Sequence, residues 1–474
     1  MSSSQEVTAL RKSGQLSAAY AKGNEYISAY PSDDYLKNAL GWVLYEQIKQ
    51  LVRRAKQQEI SEQQLSQQLR FKLREYAQLR LKRPDLLFSL IVTQLVQLPK
   101  ELLTKLSFFP KFLMWAGANC FREEDFASTV AQNGKRYPSL TEKTTGAIGR
   151  CTKDLDPKAD ETSDIQRFAI KLIDLAHKGN TLHKPELLSY YKASLLSALS
   201  EFARAKEILI PFVRKKRGEF WAWKVLAEVV EAEDAQQAIA LYTKACMSCR
   251  DESFAINVFD KLGELAAQYN QLSLAKWAVH QAVRIRKDKG WNRSELSEQL
   301  CAQPWFSNES IPVSSDRERL EIVTQAEKVI QAGLPQYKAN YIGSFHNKKG
   351  KELFKFGVTI NRQPEELVSA QRSLPANFSR RVGQPVMLTV EADHDRMHVM
   401  AITERTEAGL FDSIQRTSGS FRLHPKGFGF INDVYVPHEL ANQIQDGAQA
   451  SVAIARRFDK KKNRWGLTAI AIIK

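Results

Sequence analysis

The sequence predicts a multidomain α + β protein: an all-α helical repeat region followed by two small β-barrels. Three observations carry that expectation. Over residues 1–300, apolar side chains recur at three- and four-residue spacing, as in Leu65, Leu69, Leu73, Tyr76 and Leu79, the period of a helix with one buried face. After about residue 336 the texture changes to short alternating or β-branched runs separated by turn signals. That C-terminal part also repeats internally.

The composition narrows the function classes. With 474 residues, 43% hydrophobic and 26% charged, the chain is ordinary globular material, with room for three or four domains at roughly 100–200 residues each. A formal net charge of +16 favours polyanionic partners such as nucleic acid. The five cysteines are odd in number and scattered, unlike a secreted disulfide scaffold. The first residues are polar, and the longest apolar run, Leu86 to Leu98, is interrupted by Ser89, Thr93, Gln94 and Gln97. It falls short of the ~20 residues a membrane span needs. A cytoplasmic protein without a membrane anchor is therefore expected.

Residues 1–150 read as an N-terminal helical region and 151–302 as helical repeats, with Pro31, Pro84, Pro99, Pro110, Pro138, Pro185 and Pro211 at the breaks. Ala193 and Ala205, then Ala227 and Ala238, then Gly263 and Ala275 recur as pairs of small residues twelve, eleven and twelve apart. Large side chains such as Leu209, Trp223 and Val279 surround them. This pattern resembles the tetratricopeptide repeat, in which small residues let the two helices of a unit approach and large ones fill the groove between units. The resemblance implies a solenoid with a concave surface for a protein partner. An irregular helical bundle with coincidental alanines is the alternative. Residues 303–335 hold a Pro- and Ser-containing linker and one connecting helix, opened by Ser315 and Glu318 at capping-box spacing and ended by Gly333 and Pro335.

Residues 336–405 and 406–474 each supply about five short strands, the pattern of OB-type β-barrels. Gly343-Ser344-Phe345 returns as Gly419-Ser420-Phe421, Leu374-Pro375 as Val436-Pro437, and the turn before Val386 as the Asp446-Gly447 turn.

The most informative string is Lys426-Gly427-Phe428-Gly429-Phe430-Ile431, followed by Asp433-Val434-Tyr435-Val436-Pro437. On a strand Phe428 and Phe430 share one face, because side chains alternate. The intervening glycines are expected to leave the backbone open to a flat base, and Tyr435 to join the platform from the next strand. Aromatics at period two with cations at the rim suit stacking of single-stranded nucleic acid. The nearby cations are Arg422, His424, Lys426, Arg456, Arg457, Lys460, Lys461, Lys462 and Arg464, with Trp465 beside them.

These two strings resemble the cold-shock domain, and their close spacing is most similar to the cold-shock-type OB domains of ribonuclease R-like exoribonucleases. The resemblance covers about residues 409–474. It implies that Phe428, Phe430 and Tyr435 stack on bases and that Lys426 contacts the backbone. Pro437 stands where free-standing cold-shock proteins carry a stacking His. In the first copy, Phe354 and Phe356 also alternate and either stack on bases or belong to the core. Residues 334–474 hold 21 Lys and Arg against 13 Asp and Glu, about half the net charge in under a third of the chain. The basic runs 214–217 and 284–289 fall near predicted helix ends and read as solvated termini.

Cys246-x-x-Cys249 lacks a second ligand pair at zinc spacing and reads as structural thiols, and His394 with His398 lacks a third ligand. No phosphate-binding loop, nucleophile motif or paired-carboxylate signature is present, and the aspartate cluster of ribonuclease R-like catalysis is missing. The expectation is a non-enzymatic adaptor without cofactor or metal. Single-stranded nucleic acid, RNA favoured, sits on the barrels and a protein partner on the solenoid. An enzyme of unrecognised type in residues 50–180 and a scaffold with purely structural barrels remain open. The domain pairing is also similar to accessory proteins of bacterial anti-phage conflict systems.

Overall fold

The computed structural model describes residues 2–155, 161–178, 182–375, 377–393, 396–406, 413–459 and 463–473. Two compact units result, residues 1–326 and 327–474. The first is almost entirely helical and the second is rich in β-strand.

In the first unit, consecutive helices pack as hairpins over Pro185–Ala198 with Phe202–Lys215, Phe220–Val230 with Ala235–Ser248, and Ile256–Gln268 with Leu272–Lys289, and each hairpin packs on the next. The small residues named above lie at the crossings. Ala193, Ala205, Ala227, Ala238 and Ala275 are fully buried. A Cβ on Gly263 would stand 2.7 Å from Val279 Cγ2, so only a hydrogen fits there. Pro211 is a correction. It lies inside the helix Phe202–Lys215 rather than at a break; the helix runs only four residues beyond it and sacrifices one backbone bond. Arg286 also departs from the solvated-run reading. It is buried and forks onto Asp260 at 3.1 and 2.5 Å, with Ser294 and Ser297 completing its bonds. The helix Asp316–Gln331 begins as its sequence requires. Ser315 N–H donates to Glu318 Oε2 at 2.8 Å and Glu318 N–H to Ser315 Oγ at 3.3 Å, and Gly333 adopts φ +74° beyond its end.

The described residues of the second unit form ten strands: β1 (Gln336–His346), β2 (Glu352–Ile360), β3 (Gln363–Ala370), β4 (Pro385–Asp393), β5 (Arg396–Glu404), β6 (Ile414–Leu423), β7 (Gly429–Ile431), β8 (Val434–Val436), β9 (Gln449–Asp459) and β10 (Arg464–Ile473). The first five form an antiparallel sheet in the order β3-β2-β1-β4-β5. The second five take the same order, β8-β7-β6-β9-β10, and close into a barrel through a parallel pairing of β8 with β10. The first copy is thus a curled sheet whose end strands exchange no ladder bonds among the described residues, while the second is a closed barrel.

Backbone bonds fix the correspondence between the copies. Tyr341 N–H donates to Gln384 O and Tyr341 O accepts from Gly383 N–H; Phe421 N–H donates to Ala448 O and Phe421 O accepts from Gly447 N–H. Phe378 N–H reaches Pro375 O as Leu440 N–H reaches Pro437 O. The turns before Val386 and after Asp446 therefore match, as do the two prolines. Gly343-Ser344-Phe345 does not match Gly419-Ser420-Phe421, however, because the counterpart of Phe421 is Tyr341.

An apolar seam joins the copies inside this unit. Ile342 of β1 packs with Ile414, Ala453 and Ala455, and Ile470 and Ile473 flank them. Ser413 Oγ donates to Gly357 O at 2.6 Å, and its N–H and hydroxyl both face Asn340 Oδ1. Arg457 of β9 pairs with Glu366 of β3 at 3.2 Å, and Glu366 also takes Lys355 at 2.8 Å.

Candidate nucleic-acid interface

Strand phase decides which side chains of the second barrel face out. Phe421, Ile431, Val434, Val436, Val452, Ile454 and Ala469 make its core. In β8, Val434 and Val436 point inward and Tyr435 outward, 39% exposed. In β7, Gly429 and Ile431 are inward and Phe430 is half-buried on the outer face. Ladder pairing places Arg422 opposite Phe430, Phe430 opposite Tyr435 and Tyr435 beside Thr468, one row across four strands.

Phe428 completes a cluster just beyond this row. Its ring centroid lies 5.7 Å from Phe430 and 5.4 Å from Tyr435, and Phe430 lies 6.1 Å from Tyr435. The Phe428–Phe430 and Phe430–Tyr435 pairs are edge-to-face, so each ring half-covers its neighbour and holds it in place. His424 stacks flat on Phe428 at 4.2 Å.

The glycines serve packing rather than open backbone, which corrects the sequence expectation. A Cβ on Gly429 would stand 2.2 Å from the Phe421 ring and 2.7 Å from Arg422 O, so the Phe421 side chain fills the space that residue 429 leaves. Gly427 adopts φ +81°, and a Cβ there would strike the His438 ring at 2.6 Å. Gly427 N–H donates to His424 O at 2.8 Å, closing a β-turn with Pro425 at its second position. Proline presets the turn and the left-handed glycine ends it. Lys426 sits exposed at the tip of this rigid hairpin.

The predicted cations divide. Arg422 and Lys426 are exposed beside the aromatics. Arg456 lies in a cleft between the two copies with Arg362 and Ser413. Arg457 is engaged with Glu366 across the seam. Trp465 is 37% exposed near the far end of the β9–β10 hairpin, paired in register with Phe458. Arg464 opens β10, and Lys460, Lys461, Lys462 and His394 lie outside the described residues.

Among the described residues the first copy carries no equivalent platform. Phe354 and Phe356 are completely buried with Tyr341 in the core of the first sheet, where no base can reach them. Tyr341 pairs with Phe356 as Phe421 pairs with Ile431, so Phe356 is the counterpart of core Ile431. Lys355 then corresponds to Phe430, and its register partner Val368 to Tyr435. The aromatic pair of the first copy is one residue out of phase, which turns both rings inward.

Two members of the site escaped the sequence reading. Pro425 is absent from that reading, although Pro-x-Gly between strands is a turn signature. His438 follows Pro437 and lies against Gly427, so a histidine is present one position after the proline that replaces the cold-shock His. Among the described residues no group of three or more His, Cys, Asp or Glu is placed to hold a metal ion, and Cys246 and Cys249 are free thiols.

Residues 415–472 match the family model of S1/CSD-like domain 2 of the TOTE conflict systems. Residues 186–326 match a domain of unknown function (DUF7017). No curated protein matches the chain.

Proposed function

We propose that this chain is a non-enzymatic adaptor that holds single-stranded nucleic acid, RNA in preference to DNA, on the outer face of β7 and β8. The observation that carries the reading is the outward cluster of Phe428, Phe430 and Tyr435 in a barrel whose core is filled without them. Bases stack on such rings irrespective of sequence, while Lys426 and Arg422 stand where phosphates would pass. Binding across the second and third strands, with the first hairpin loop at the rim, is the usual oligonucleotide mode of a five-stranded barrel of this topology. The similarity of residues 415–472 to an S1/CSD-like domain supports the same ligand, and its occurrence in TOTE conflict systems supports a role in defence against invading nucleic acid. The tetratricopeptide-like helix hairpins of the first unit would hold a protein partner, so that the partner meets the captured strand. Titration of the whole chain with single-stranded RNA, single-stranded DNA and duplex across a salt series tests the reading. Equal affinity for duplex, or binding indifferent to Phe430→Ala, would overturn it.

A further inference from the structure

A second basic feature lies within the helical unit. A short hairpin pairs Thr129–Val130 with Arg136–Tyr137, and its turn is closed by Ala131 and Lys135, with Gly134 at φ +76°. It is followed by Ser139, which caps the helix Leu140–Thr152 through Glu142 N–H at 3.1 Å. The hairpin, one face of that helix and residues 183–188 enclose a cleft of about 380 Å³.

Five cations line the cleft: Lys135, Arg136, Lys143, Arg150 and Lys184. Lys143 and Arg150 share a helix face, seven residues apart. Among the described residues none of the five makes an ion pair. The acid at the same place, Glu142, is buried and already engaged. Its two oxygens accept the backbone N–H groups of His183 and Lys184, each at 2.8 Å. Glu142 therefore positions Lys184 at the cleft while its carboxylate is taken up by amides.

The floor is apolar, formed by Val96, Pro138 and Leu187, with the Tyr137 ring exposed at the edge. Gly146 opens the floor: a Cβ there would meet only Arg150 Nη1, at 3.8 Å. An apolar floor, an exposed ring and a rim of cations without ion pairs among the described residues match one nucleotide, base inward and phosphates at the rim. The volume lies at the low end of the range for small-ligand pockets, which also fits one nucleotide. An acidic peptide would use the cations but would leave the floor and Tyr137 without a role.

We propose that this cleft binds a nucleotide of single-stranded nucleic acid, independently of the barrel platform. The test uses the whole chain with a fluorescent oligouridine, in unaltered form and with the platform disabled by Phe430→Ala and Lys426→Ala. In both backgrounds Lys143→Ser with Arg150→Ser should weaken binding about tenfold or more, and lower the salt slope by roughly 1.4, the share of two phosphates on a single strand. Gly146→Met keeps every cation and fills the floor, so it should weaken binding with little change in salt slope. Thermal melts of all variants should match the parent, and a photoreactive uridine should crosslink to the peptide holding Tyr137. Unchanged affinity for the cleft variants in both backgrounds would overturn the proposal. So would crosslinks confined to residues 414–473, or a cleft that binds polyglutamate and ignores the oligonucleotide.

Discussion

Gly429→Ala isolates what the glycine of the motif is for. The added methyl would lie 2.2 and 2.4 Å from two atoms of the Phe421 ring and 2.7 Å from Arg422 O. Ordinary carbon contacts need about 3.5–4.0 Å, so the ring must retreat by more than 1 Å. Phe421 has no room to do so, being fully buried among Ile431, Val434 and Val452. The carbonyl belongs to the partner strand and cannot swing without breaking the ladder. Overpacking of this kind costs about 1–3 kcal/mol or somewhat more. A domain of this size loses roughly 2–4 °C of Tm per kcal/mol, so a shift of about 2–12 °C is expected. Residues 327–474 contain Trp465 as their single tryptophan, which makes fluorescence a direct monitor of unfolding in that fragment. Phe421→Leu removes the offending ring atoms, so the double variant should be less destabilised than the sum of the two singles. If Gly429→Ala melted like the parent but bound single strands poorly, the glycine would serve base access, and the packing argument would fall.

The remaining predictions address the ligand face, the helices and the thiols. Phe430→Ala removes a half-exposed ring outside the core, so the melt should barely move while single-strand affinity drops by ~1–3 kcal/mol, read by fluorescence anisotropy. Lys426→Ala should lower the salt slope by about 0.7 and weaken all sequences alike. Ala205→Leu and Ala275→Leu each force a large side chain into a fully buried helix crossing, so circular dichroism melts should register a loss of roughly 1–3 kcal/mol, with barrel binding preserved in native protein. Burial pushes the Cys120 thiol up to about 12 and the Cys246 thiol well above its ordinary value, which leaves almost no thiolate at pH 8. Both should stay unmodified by a thiol reagent in the native state and react on unfolding, as mass spectrometry of the labelled peptides would show.

Local chemistry made part of this molecule legible. The capping box at Ser315 and Glu318, the stop at Gly333 and the crossing alanines act within one or two helices, and sequence spacing reports them directly. Phe430 and Tyr435 are legible for a related reason, since alternation with inward Gly429 and Ile431 in β7 and with Val434 and Val436 in β8 turns them outward; Phe428 precedes β7 and joins them from the turn. Phase itself was the weak point in the first copy. The inward positions of β2 are Phe354, Phe356 and Val358, fixed by pairing with Tyr341 and Ala339 of β1, and nothing in Phe354-Lys355-Phe356 announces that pairing. Arg286 and Arg457 read as free cations because their acids, Asp260 and Glu366, are 26 and 91 residues distant in sequence. Only the fold brings such pairs together. Gly429 was assigned a role from its neighbours in sequence, when the ring that needs its space comes from another strand.

The seam of Ile342, Ile414, Ala453 and Ala455 has a consequence for how far the second copy depends on the first. Here the first copy covers side chains that the second would otherwise present to water as an oily strip along β6 and β9. Losing the first copy would expose that strip and leave Ser413 without its partners Gly357 and Asn340. The first copy therefore keeps the second copy's wall out of water, even with its own aromatics turned inward. In mechanical terms the first copy is a buttress, and the wall it lends to the second is made of Ile342, Gly357 and Asn340.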